Sequence, residues 1–388
     1  MVKFGSPAKL EAMAMLIRPE KLFDGTRLRR GLALRVENGR VSGLGVSPLP
    51  GEEVLTCHLL SPGFIDIHIH GCMGHDTMHG EAHVGFMAQA LPRFGVTAFV
   101  PTTMAASLED TRSALSGVCR AMERLEGARV LGCHLEGPFL NPARKGAQPS
   151  QFILPPSLAD YRRIVQGMEH AVRLMTIAPE MPGAEDLIQA LSGGPALCAG
   201  HTDASCEQMA RAVHLGVSQA THLFNGMNAF SHRAPGVPGA ALTLKQVRVQ
   251  LIADLLHLHP TALKLAWSCK GPQGCILITD AMEAAGMPDG QYTLGANQVF
   301  VKDGEARLAQ GNLAGSTLTM DRAVRNMAGP AGAGLARALR MATRNPADSL
   351  GLSSMGRVAV GAAADLVLLD PDLQVERTLV QGRTVYRR

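Results

Sequence analysis

Polar and apolar positions along the chain follow two patterns. From Leu28 to about Ser61, short alternating runs are broken by turns: LALRV, then Glu37-Asn38-Gly39-Arg40, then VSGLGV and EVLTCHLL. Alternation with period two marks a half-buried strand, and Asn-Gly favours the positive-φ positions of a tight hairpin. The C-terminal end reads the same way, through GRVAV, DLVLLD, QVERTLV, Gly382 and RTVYRR. The two segments, 13–61 and 355–388, predict a small β-sandwich domain built from both chain ends. Residues 1–12 (MVKFGSPAKLEA) fit neither pattern and are read as an extension or an expression scar.

Between the ends the period changes. Near-continuous apolar runs recur at 63–70 (GFIDIHIH), 96–102, 129–136, 172–179, 196–201, 217–222, 249–254 and 275–280, each followed by a helical stretch. Ser107 and Ser157 each stand three residues before a carboxylate, as N-caps do. Apolar strands alternating with helices predict a parallel sheet covered on both faces. Eight strands are the number that closes a (β/α)₈ TIM-type barrel, placed at 62–354. A doubly wound open sheet is the alternative, but no G-x-G-x-x-G follows the first strand.

Composition narrows the partners. The 388 residues are 46% hydrophobic and 18% charged, which excludes wholesale disorder. Aromatics are few (1 Trp, 3 Tyr, 11 Phe) beside 14 His, so the core is aliphatic and rich in its 19 Met. Few stacking rings and a net charge of +4, with basic residues clustered only in pairs, give no surface for nucleic acid. The 8 Cys form no C-x-x-C pair, which predicts a reduced, cytoplasmic protein. No apolar run approaches the length of a membrane span.

The chemistry lies at the strand ends. Strand one ends in His68-Ile69-His70, strand three in Glu136, strand five in His201, strand six in His222 and strand eight in Asp280. In a barrel enzyme these ends form one mouth. Any one of these residues alone reads as a cap or turn residue. Four imidazoles and two carboxylates together read as a metal site, with Zn²⁺ ahead of Fe, Mn or Co. The set suits two ions bridged by Glu136, and equally one ion with spare polar groups. Asp280 fits an acid/base beside a metal-activated water; its plainer reading is an N-cap. Two loops follow these ligands. The first, 134–148, carries His134, the Gly137-Pro138 turn, Arg144 and Lys145. The second, 221–240, carries Asn225, Gly226, His232 and Arg233. Such donors suit a phosphate.

These residues carry a resemblance. PGFIDIHIHG, HLEGPFLNPARKGA, GHTDA, THLFNGM, HRAPGVPGA, ADLLH, ITDAM and AGSTLTM occur in the order found in the N-acetylglucosamine-6-phosphate deacetylases of the amidohydrolase superfamily. The resemblance covers the chain from about residue 16. It implies that Glu136, His201 and His222 hold a shared metal, that His68 and His70 hold a second, and that Asp280 is the catalytic acid/base. It also implies that Asn225 and Gly226 contact phosphate, with Arg233 and His257 as further substrate contacts. A homodimer sharing phosphate contacts across subunits is implied, as is deacetylation to glucosamine 6-phosphate and acetate. One departure is Gln148, where the family often has His at a position resembling a sugar contact; this keeps the galactosamine epimer as an alternative. A dihydroorotase-like hydrolase would need a Lys after strand four, where Ala178-Pro179-Glu180 stands. A non-catalytic scaffold would have lost ligands, and all six are present.

Overall fold

The structure is a computed structural model that describes residues 14–124 and 126–388. The extension read at 1–12 lies outside the described residues. Each of the eight apolar runs contains strand. Phe64–Ile69, Val96–Pro101 and Arg129–Val130 form one parallel sheet. Cys133–Glu136, Val172–Ile177, Ala196–Ala199, Val217–Ala220, Arg248–Ile252 and Cys275–Ile278 form a second. The third run is therefore divided between the two sheets. The break falls at Gly132, whose φ is +138 and where a Cβ would come within 2.5 Å of the Ala171 carbonyl oxygen. Only glycine lets the chains approach that closely there.

Two seams join these sheets. At one, the Thr103 N–H donates to the His134 carbonyl (3.0 Å). At the other, the Asp280 N–H donates to the His68 carbonyl (2.9 Å), and the Thr279 hydroxyl donates to the buried Asp66 carboxylate (2.5 Å). Strands and surrounding helices share one large aliphatic core, and every residue of Phe64–Ile69 and Val96–Pro101 is buried. That double-sided burial is why these runs read as continuous rather than alternating. Ser107 and Ser157 cap Leu108–Ala121 and Leu158–Val165 by accepting from the Asp110 and Asp160 N–H groups.

The chain ends meet in a third, mostly antiparallel sheet. Its hydrogen-bonded path runs Arg383–Arg387, Val375–Val380, Leu366–Leu369, Glu53–Pro62, Met15–Phe23, Leu34–Glu37, Arg40–Leu44, with Leu28–Arg30 added on Met15–Phe23. Asn38-Gly39 forms the expected hairpin, with φ of 50 and 75. GRVAV (356–360) is not a strand, although its Val358 is buried in this sheet's core. Two elements were absent from the pattern reading. Met15–Phe23 pairs with three strands, yet Pro19, Glu20 and Lys21 interrupt its apolar text. The antiparallel meander Gly290–Leu294, Asn297–Lys302 and Glu305–Leu308 follows the eighth run. The Asp303-Gly304 dipeptide between its last two strands was the available signal.

Candidate metal centre

The ligand candidates sit where the strands stop. His201 and His222 lie two residues beyond Ala196–Ala199 and Val217–Ala220, and Asp280 lies two beyond Cys275–Ile278. Each has a positive φ, 47, 27 and 50 respectively. Left-handed backbone at a non-glycine residue costs about 1–3 kcal/mol and survives only where the surroundings dictate it. Here it turns three side chains off the sheet and towards one point. Gly226 leaves room for one of them, since a Cβ there would sit 2.9 Å from His201 Nδ1.

Glu136 is the hub. Its Oε1 lies 3.2 Å from His222 Nε2, 3.4 Å from His201 Nε2 and 3.5 Å from His68 Nε2, while its Oε2 lies 3.3 Å from His70 Nε2. Asp280 Oδ1 lies 3.3 Å from both His68 and His70 Nε2. All six side chains are buried or nearly so. The outer nitrogens settle the tautomers. His201 Nδ1 faces the Arg144 carbonyl (2.9 Å), His222 Nδ1 the Asn225 carbonyl (3.1 Å), His70 Nδ1 the Thr102 carbonyl (3.2 Å) and His68 Nδ1 the Gln250 amide oxygen (3.3 Å). Those oxygens only accept, so each Nδ1 carries a proton and each Nε2 faces the centre, where an ion that displaces any proton there meets a lone pair.

This arrangement fits a divalent cation. His68, His70 and Glu136 form one group that could hold an ion, and Glu136, His201 and His222 form another. The Nε2 atoms of His201 and His222 are 3.1 Å apart, and those of His68 and His70 are 3.4 Å apart. Tetrahedral ligands at zinc–nitrogen distances of about 2.0–2.1 Å would be about 3.3 Å apart. Glu136 Oε1 is buried without a hydrogen-bond donor. The electrostatics agree. Burial works against the charge on His70, but the Asp280 and Glu136 carboxylates prevail and push it up to about 10. Burial would raise Asp280, yet the His68 charge and the His70 hydrogen bond hold it at about 2. Glu136, raised by burial but lowered by His68, His201 and His222, lies well below the usual carboxylate range. The centre thus attracts positive charge, and a divalent cation supplies it without protons.

A cavity of about 180 Å³ opens onto this cluster. The sequence pattern of the amidohydrolase family matches residues 59–385. The chain belongs to the amidohydrolase family. Among curated relatives of this amidohydrolase, an N-acetylglucosamine-6-phosphate deacetylase of Lysinibacillus sphaericus is 40% identical over 343 residues, 87% of each chain. An N-acetylgalactosamine-6-phosphate deacetylase of Escherichia coli O157:H7 is 38% identical over 354 residues, 90% of this chain and 93% of that one. Among solved structures, a mutant N-acetyl-D-glucosamine-6-phosphate deacetylase of Mycobacterium smegmatis, in complex with N-acetyl-D-glucosamine-6-phosphate, superposes with a TM-score of 0.91 at 34% identity. It covers 96% of this chain and 99% of that one.

The other predicted residues of this amidohydrolase divide into two groups. Asn225, Gly226, His257 and Gln148 line the cavity with His70, Glu136, His201, His222 and Asp280. His232 and Arg233 are exposed on the loop after Met227 and do not line it. Two expectations are corrected. His134 is fully buried behind the ligands, its ring centroid 4.6 Å from that of His68 and its Nε2 2.7 Å from the Thr176 hydroxyl; it is a packing neighbour of the centre, not a group facing substrate. Gly137 is likewise outside the cavity lining, packed 3.0 Å from Ala105 at the place a Cβ would take. Arg144 turns away into an ion pair with Asp203 (2.7 Å), and its carbonyl, not its guanidinium, serves the site. Pattern reasoning missed Gln250 and Thr102, which orient imidazoles, and Asp254, whose carboxylate lies 2.6 Å from His257 Nδ1. It also missed Leu294 and Leu313, which give the cavity an apolar wall from the meander and the loop after it. Only Asp254 had a signal, standing at the end of the seventh apolar run as the other acids end theirs.

Proposed function

We propose that this chain hydrolyses the N-acetyl group of N-acetyl-D-glucosamine 6-phosphate, giving D-glucosamine 6-phosphate and acetate. The observation that carries the reading is the meeting of four Nε2 atoms, Glu136 and Asp280 at a cavity that all of these residues but the buried His68 line, together with Asn225, Gly226 and His257. The deacetylase relatives point to the same substrate class. Zn²⁺ is the proposed ion, held by Glu136, His201 and His222, with His68 and His70 able to take a second. A bound divalent ion polarises an amide carbonyl and acidifies water. Asp280 accepts the proton of the attacking water as the new C–O bond forms, and then delivers it to the departing nitrogen as the amide C–N bond breaks. The Gly226 N–H and His257 bind the phosphate, joined by the Asn225 amide once its NH₂ turns from the His222 and Leu223 carbonyls.

The architecture proposed around this site has three parts. The two parallel sheets with hydrogen bonds across both seams are read as one closed (β/α)₈ barrel at 62–354. The terminal sheet is read as a sandwich domain of 13–61 and 355–388. A Cβ at Gly382, beside one end of that path, would lie 2.9 Å from Val36 Cγ1 near its other end, which supports a sheet folded upon itself. A homodimer would bring the exposed Arg233 and His232 of one subunit to the cavity of the other. No helix among the described residues is long and apolar enough to cross a membrane, and a cytoplasmic location is proposed.

The test is acetate release from N-acetylglucosamine 6-phosphate and its galactosamine epimer, with metal analysis on the same sample. Release from the first supports the reading. Release from the second alone moves the function to the epimer, which the Escherichia coli O157:H7 relative favours as the second reading. Silence with both overturns the deacetylase.

His257 adds a pH prediction. Burial lowers its pKa, but the Asp254 carboxylate more than offsets this and holds it above the ordinary 6.5. The imidazolium binds phosphate and the neutral ring binds it less well, so KM should rise as pH climbs through that raised pKa. Asp254→Asn should move the rise to lower pH. A KM profile that is flat with pH in the wild-type enzyme would exclude a phosphate contact by His257.

A further inference from the structure

We infer that Gln148 is a positioning residue of the metal centre: its side-chain amide fixes the plane of the Glu136 carboxylate. The inference rests on the metal reading above and gives this cavity-lining residue a role other than sugar contact. Gln148 is 2% exposed. Its Oε1 accepts the Ala105 backbone N–H (2.7 Å), and its Nε2 donates to Glu136 Oε2 (2.8 Å). The orientation of this amide is forced at both ends. A backbone N–H only donates, so the amide oxygen must face Ala105; an ionised carboxylate only accepts, so the NH₂ must face Glu136.

A carboxylate that contacts four imidazoles needs a fixed rotation, since turning it would withdraw Oε1 from three rings and Oε2 from the fourth. Gln148 supplies that restraint from the Oε2 side, leaving Oε1 without a donor and aimed at His68, His201 and His222. The donor is neutral. A Lys or Arg there would form an ion pair with Glu136 and compete with the cation, whereas the amide orients the carboxylate and leaves its charge for the ion. The loop that carries Gln148 is itself held. The Arg144 carbonyl accepts from His201 Nδ1 (2.9 Å), and the Ala147 carbonyl accepts from Asn297 Nδ2 of the meander (2.7 Å). One short loop thus supports two ligands that come from different strands.

The experiment is chelator competition for Zn²⁺ on metal-stripped wild-type enzyme and on Gln148→Met, which keeps the length of the side chain and removes its amide, and so the donor to Glu136, without adding charge. Gln148→Asn, one methylene too short to span both partners, is the second variant. The zinc-induced shift in melting temperature, read on the same samples, separates metal binding from any general loss of stability. Loss of such an outer partner weakens metal affinity by about 10–100-fold, and that range is expected for both variants. At saturating zinc, KM for the sugar phosphate should stay within about twofold of wild type. Unchanged zinc affinity with a raised KM would overturn the inference and return Gln148 to the sugar. Wild-type enzyme that takes up no zinc would overturn the metal reading itself, an outcome distinct from a variant that matches a zinc-binding wild type.

Discussion

Asp280→Asn should lower turnover by about 10²–10⁴-fold, the span of a positioned general acid/base, while metal content stays near wild type. The substitution keeps size and shape and removes the proton acceptor. Asp280 stands 3.3 Å from the Nε2 atoms of His68 and His70, and it faces the cavity. Its low pKa, about 2, keeps it ionised as an acceptor at neutral pH. Glu136 and the four imidazoles remain in the variant, so the ion should stay. The backbone also remains tied, because the Asp280 N–H and carbonyl bond to the His68 carbonyl and the Ser316 N–H whatever the side chain. Turnover and bound metal measured on one preparation decide the matter. Near-normal turnover removes Asp280 from the proton path, and loss of metal together with turnover makes it a ligand first.

Glu136→Gln should be more severe, with bound metal lost on dialysis and acetate release falling below about one thousandth of wild type. An amide there has one oxygen where the carboxylate has two, and it carries no charge to pair with a cation. Its NH₂ would also point at Nε2 lone pairs or at the Gln148 NH₂, setting donor against donor or blocking ligands. The imidazoles would respond in a defined direction. His201 is held above its ordinary pKa by Glu136 against the effect of burial, so removing the carboxylate should let its pKa fall. NMR titration of the metal-free protein would show that fall independently of activity. A variant that keeps its metal and its turnover would end the reading of Glu136 as the hub.

Much of this was legible in the chain because burial on both faces leaves continuous apolar text. The eight runs mark the parallel strands, and the chemistry-bearing residues end them. His68 and His70 are two residues apart on one strand, so period two alone puts them on one face. Asn38-Gly39 and the caps at Ser107 and Ser157 are local physics, decided within four residues. Elements whose stability comes from neighbours were harder to see. Met15–Phe23 is held by pairing with three strands, not by its own pattern, and the Gly290–Leu308 meander shares its apolar face with Met104 and Met282.

By itself the sequence determined the candidate ligands, their order along the chain and the strand ends that carry them, because residue type and strand period are local properties. Only the tertiary structure decided which atoms face the centre, since that depends on partners far apart in sequence. The Gln250 amide, 182 positions from His68, orients its ring, and Ala105 and Glu136 together orient Gln148. Long-range packing also withdrew His134 into the core, turned Arg144 towards Asp203 and left Arg233 outside its own cavity.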